Sequence, residues 1–217
     1  MGLCLPVCRY RAHGRNCDVT RDAPGSLAAY GAVTLAYWAF MLTDGALRML
    51  VLLQFHGLGF SPLHLAYLFV LYEIAGVVTN LSSGWIAARF GLATVLYAGL
   101  FIQIFALLAL SQLDPGWQVY GAVFFVMAVQ GASGVAKDLT KMGAKSAVKL
   151  LAPDQGTGLF RWVAVLTGSK NAVKGAGFFI GAALLGGIGF DAALCSMAVF
   201  LGVILVGLGV AMPQGLP

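Results

Sequence analysis

Charge is what this chain has least of. Only 10% of its 217 residues are Asp, Glu, Lys or Arg, and only eight are acids, against about 25% charged residues in a soluble domain. That scarcity excludes an ordinary water-soluble globule. Cysteine is scarce as well: Cys4, Cys8 and Cys17 lie near the N-terminus and Cys195 stands alone far downstream. This spacing supports neither a disulfide framework nor a zinc site. His56 and His64 have no third ligand close in sequence, so neither a metal nor a cofactor is expected. G-x-S-x-G, H-E-x-x-H, a phosphate loop and C-x-x-C are all missing, and no polar stretch is long enough for a catalytic domain. The chain does not read as an enzyme.

Apolar residues fill the space that charge leaves. They make up 60% of the sequence, and mean hydropathy is +0.89. Glycine, at 29 residues, suits transmembrane helices whose backbones approach closely where side chains are small. Runs long enough to cross a bilayer, about 20 residues each, fall at 28–55, 62–83, 92–111, 118–136, 159–185 and 192–212. The fold expected is an all-α, polytopic bundle of six transmembrane helices over 27–212. A basic tail, 1–26, is read as cytoplasmic and disordered. Residues 213–217 read as the start of a further loop.

Ser61-Pro62 and Asp114-Pro115 each look like an N-cap followed by proline at the first helical position. Asp191 is the expected cap of the sixth span. Basic residues are divided very unevenly between the two sides. Arg9, Arg11, Arg15, Arg21, Arg89, Lys137, Lys141, Lys145, Lys149 and Arg161 fall on one side, and the three opposite connections carry no Lys or Arg. The positive-inside rule places both termini in the cytoplasm. The net charge of +5 therefore reads as a topology signal, not as a nucleic-acid footprint. Lipid is the expected partner, with Lys145 and Lys149 reading as headgroup contacts.

Three basic residues escape that explanation: Arg48, Lys170 and Lys174 lie within spans. A charge near the bilayer centre costs roughly 2.5–3.5 kcal/mol by insertion scales and is tolerated facing a protein interior or a watery cavity. Asp44 and Arg48 are four residues apart and share a helix face. Glu73 lies in span two and Asn171 beside Lys170. Asp44, Glu73 and Lys170 should sit near mid-depth, with Arg48 and Lys174 one turn outward. Closed pairs, Asp44 with Arg48 and Glu73 with a lysine, are one reading. The other is a midplane site for a small anion, because two acids do not balance three bases. Asp44 and Glu73 are then the proton-coupling candidates. Gln130, Lys137 and Lys141 form a stripe on span four that extends this site towards the cytoplasm. Gly177 and Gly181 make a GxxxG packing face.

The segment Gly84-Trp-Ile-Ala-Ala-Arg89-Phe-Gly91 resembles the G-x-x-a-D-r-x-G loop of the major facilitator superfamily, between its second and third helices. Gly84, Arg89 and Gly91 match, and Ala88 stands where the aspartate is usual. Three longer strings, AYWAFMLTDGALRMLVLLQFHGLGFSP, LYEIAGVVTNLSSGWIAARFG and GVAKDLTKMGAKSAVKLL through LFRWVAVLTGSKNAVKGAGFF, are similar to the organoarsenical efflux permease (ArsJ-like) family within it. The likeness runs from about Ala28 to Met212. It implies efflux of 1-arseno-3-phosphoglycerate, hence arsenate resistance; the membrane expected is the plasma membrane, with an organelle membrane as the alternative. It also implies functional coupling to the glyceraldehyde-3-phosphate dehydrogenase that makes this compound. The superfamily pairs two six-helix halves, so the resemblance covers the first half and implies a C-terminal partner half. Another organic anion or a sugar phosphate would suit the same charges, and a non-transporting membrane scaffold is the alternative of a different class.

Overall fold

A backbone crossing hydrocarbon must satisfy its own N–H and C=O groups, which leaves the helix as the natural form for these apolar runs. A computed structural model describes residues 24–113, 118–151 and 157–211. The described residues form six helices and no strands: α1 (Pro24–Gly57), α2 (Pro62–Phe90), α3 (Leu92–Leu110), α4 (Val119–Leu151), α5 (Thr157–Ile188) and α6 (Phe190–Ala211). All six carry a segment long and apolar enough to cross a membrane. The protein is an all-α, multi-pass membrane bundle. The basic tail up to residue 23, the Asp114-Pro115 start and residues 213–217 lie outside the described residues, as do the side chains of Lys149 and Arg161.

Local chemistry sets the turns. α1 ends in a Schellman motif: Phe60 N donates to Phe55 O and Gly59 N to His56 O, with Gly59 at φ 88°. The apolar contact that accompanies this motif is the edge-to-face pair of Phe55 and Phe60, 5.3 Å between centroids. Ser61 then caps α2, its Oγ accepting from His64 N at 3.5 Å and lying 2.8 Å from His64 Nδ1. Gly91 (φ 81°) and Gly189 (φ 83°) turn the chain between α2 and α3 and between α5 and α6.

Three sequence expectations need correction. α2 runs through Phe90, so the Gly84–Gly91 motif is the last two turns of a helix and only Gly91 is a connection. The apolar pattern fades there, but helical hydrogen bonding continues into the polar zone. α4 likewise runs past Ala136 to Leu151, which draws Asp138 into a segment that reads as membrane-spanning. α6 begins at Phe190, so Asp191 lies in its first turn rather than at the cap, and Ala193 N bonds Gly189 O.

Apart from α3 and α4, helices adjacent in sequence scarcely pack on each other. α1 packs along α5 and α6, α4 packs along α2 and α3, and α1–α4 and α3–α6 contacts join the two groups. Exchanging α1 with α4, α2 with α5 and α3 with α6 reproduces this pattern. The bundle is therefore two three-helix units packed alike. Three crossings per unit make the second unit inverted relative to the first. α1 is the central element, 67% of its spanning segment being buried, while that of α5 is only 11% buried. The α1–α5 seam depends on the GxxxG face. A side-chain carbon on Gly177 or Gly181 would collide with the carbonyl of Leu42 or of Ala46, so glycine allows the two backbones to touch.

Candidate functional site

The seam between α1 and α5 fixes the first charged contact. Gly45 lies against the backbone of Lys174, which brings the Lys174 ammonium to Asp44, 2.6 Å from Oδ2. Asp44 is fully buried, and its other oxygen accepts from Tyr72 Oη at 2.6 Å. Both carboxylate oxygens are thus satisfied, one by a cation on α5 and one by a hydroxyl on α2. A buried carboxylate needs such partners to avoid a desolvation penalty of several kcal/mol.

One turn along α1, Arg48 reaches a different acid. Its NH2 group donates to Glu73 Oε1 at 2.7 Å. The guanidinium also stacks on the Tyr72 ring, 3.9 Å from the centroid, and lies 5.8 Å from that of Phe69. Lys137 on α4 lies 3.9 Å from Glu73 Oε2 and 3.9 Å from Asp138 Oδ2, and 4.3 Å from the Tyr72 centroid. Lys141 completes the α4 group, 3.4 Å from Asp138 Oδ1. Tyr72 therefore links both clusters, its hydroxyl to Asp44 and its ring to two cations.

These side chains border a cleft of about 270 Å³ between α2 and α5, floored by α1 and α4. Lys170, Asn171 and Lys174 line it from α5. Lys170 has no carboxylate within ion-pair distance among the described residues. Counting the buried Asp44 beneath the cleft, five bases (Arg48, Lys137, Lys141, Lys170 and Lys174) face three acids (Asp44, Glu73 and Asp138). Two positive charges are left over. A neighbouring apolar groove of about 550 Å³ shares Arg48 and is otherwise walled by residues such as Phe69, Phe178 and Phe179.

Of the expected site residues, Arg48, Glu73, Lys137, Lys141, Lys170, Asn171 and Lys174 are brought together around this cleft. Gln130 is not. It is fully buried on α4, both side-chain polar atoms lack a partner among the described residues, and it does not line the cleft. Its stripe-mates diverge because Lys137 and Lys141 lie two and three turns further on, where α2 and α5 leave the groove open. Gly84, Arg89 and Gly91 do not line the cleft either; the Arg89 guanidinium lies over Trp85, 5.6 Å from its centroid.

The pairing differs from the sequence expectation. Asp44 and Arg48 do not pair along α1; each takes a partner on another helix. An i,i+4 pair is worth only a few tenths of a kcal/mol, and a partner forced close by backbone contact outweighs it. Lys174, not Lys170, reaches Asp44, so α5 sits about one turn away from the register inferred from span centres. Three participants escaped the sequence reading. Asp138 lay beyond the assigned end of span four, although its position beside Lys137 and three before Lys141 is a usable signal. Tyr72 and Tyr37 carry no sequence signal that sets them apart from other aromatics. Yet Tyr37 also lines the cleft, and its buried hydroxyl has no partner among the described residues.

No protein-family model, no curated protein and no solved structure matches this chain.

Proposed function

We propose that this chain is one six-helix half of a secondary active transporter for a small organic anion, of the major facilitator type. The observation that carries the proposal is the charged cleft, where five bases outnumber three acids within helices that cross the membrane. Such a cavity attracts a ligand bearing at least two negative charges. The inverted three-helix pairing supports the superfamily reading, since nested inverted repeats are how those halves are built. In that arrangement the open side of the cleft faces a second six-helix bundle, and rocking of the two bundles alternates access. Both termini face the cytoplasm and the host membrane is the plasma membrane.

An organoarsenical such as 1-arseno-3-phosphoglycerate stands first among candidate anions because of the sequence resemblance, with the dehydrogenase as its source. The charges themselves favour any phosphate- or arsenate-bearing anion, so a sugar phosphate is the second reading. Arsenate-sensitive cells carrying this chain, a complementary six-helix half and the dehydrogenase should retain less arsenic than cells lacking the chain. Unchanged retention, with the protein present in the membrane, overturns the organoarsenical assignment. Competition by sugar phosphates for uptake into inverted vesicles decides between the two anions.

A further inference from the structure

Resting on the anion-site reading, we propose that the Glu73 carboxylate is a tethered anion. It occupies the substrate's seat on Arg48 and Lys137 while the cleft is empty, and an incoming oxyanion displaces it. Glu73 returns to Arg48 when the anion leaves and the site empties.

The three acids are held very differently. The Asp44 side chain is 0% exposed and carries two short bonds, from Tyr72 and Lys174. The Asp138 side chain is 6% exposed between Lys137 and Lys141. The Glu73 side chain is 59% exposed, yet one of its oxygens is 2.7 Å from the Arg48 NH2 group. It is the carboxylate that can leave without stranding itself in a dry interior. Arg48 cannot follow it, because its guanidinium is stacked on Tyr72 and its Nε is buried. Lys137 is held near Asp138 and over the Tyr72 ring. When Glu73 swings out, two cations held in place remain facing the cleft. A guanidinium recognises phosphate and carboxylate through the same donor geometry, so one seat serves both the tether and the substrate.

Every titratable or charged neighbour of Glu73 is consistent with this assignment. From α1 it meets Arg48 directly and Asp44 behind Tyr72; α4 presents Lys137, Asp138 and Lys141. From α5, Lys170 and Lys174 complete the cleft. Asp44 is engaged by Lys174, and Asp138 shares Lys137 with Glu73 but is also held by Lys141. Glu73 is the acid paired to Arg48. Competition of this kind weakens anion binding, so removing the carboxylate should strengthen it.

The test is calorimetric binding of sulfate to the purified full chain in lipid nanodiscs at neutral pH, with 3-phosphoglycerate as a second probe. Glu73→Gln should bind sulfate about tenfold more tightly than wild type, the loss of one charge-assisted competitor. Glu73→Ala should behave the same way, which guards against a fault peculiar to the amide; circular dichroism establishes that each variant keeps its helicity. Equal or weaker binding by both variants overturns the tether while leaving the anion site standing. Absence of binding by all three proteins overturns the anion site and the tether together.

Discussion

Two ion pairs lie one turn apart along α1 and have opposite characters. Asp44–Lys174 is closed: the carboxylate is fully buried, both oxygens are bonded, and the partner helices touch backbone to backbone. Arg48–Glu73 is open: its bond is as short, but the acid side chain is more than half exposed at the cleft. The difference teaches that proximity alone does not assign a role to an intramembrane ion pair. What assigns it is the cost of separating the partners. Separation at Asp44 strands a charge in a dry interior, whereas separation at Glu73 exchanges one anion for another in a polar cleft.

The largest expected effect comes from breaking the closed pair. Lys174→Ala leaves Asp44 buried without its cation and should lower stability by about 3–5 kcal/mol, measured by unfolding in lipid or mild detergent. Adding Asp44→Asn should restore most of that loss; no restoration would mean that Lys174 stabilises through packing instead. Next comes the seam that creates the pair. Gly177→Val forces α5 away from Leu42 on α1 and should cost about 1–3 kcal/mol through overpacking, read by the same unfolding measurement. Tyr72→Phe removes the bond to Asp44 but keeps the ring beneath Arg48. It should cost about 1–2 kcal/mol while leaving sulfate affinity close to wild type. An equal loss of affinity would show that the two clusters act as one.

The smallest effect on stability should come from Lys170→Ala, under about 0.5 kcal/mol because no ion pair is lost. Its effect on function should be larger, a fall in sulfate affinity of about tenfold through one missing charge-assisted contact. That contrast with Lys174→Ala sharpens the comparison. Both lysines line the cleft on α5, yet one should report on folding and the other on binding. Similar losses of stability in the two variants would overturn the distinction.

Much of the fold was legible because its causes are local. Six apolar runs, Ser61-Pro62 at a helix start and Gly177/Gly181 on a packing face each follow from chemistry within a few residues. Most of the cleft was legible for a related reason, since Arg48, Glu73, Lys170 and Lys174 are conspicuous wherever they fall in a lipid-crossing run. Partner choice was not legible. Asp44 has Arg48 four residues away on its own helix, and nothing in that spacing reveals that Gly45 admits the α5 backbone and delivers Lys174 instead. Asp138 was hidden by a boundary, because hydropathy falls at Lys137 while the helix continues to Leu151. Gln130 misled in the opposite way, since helical periodicity gives a direction around α4 but not the point where its neighbours part to open a cleft.

The sequence by itself determined that this protein carries six segments long and apolar enough to cross a membrane and keeps costly charges within them, because hydrocarbon dictates helices and penalises lysine whatever the tertiary arrangement. Only the tertiary structure decided which charges neutralise one another. Ion pairing depends on approach distance and burial, and both are set by where glycine lets two backbones meet. That contact closes Asp44 on Lys174, leaves Glu73 and Arg48 at the edge of a cleft, and gives the same two chemical groups a structural task in one place and an exchangeable one in the other.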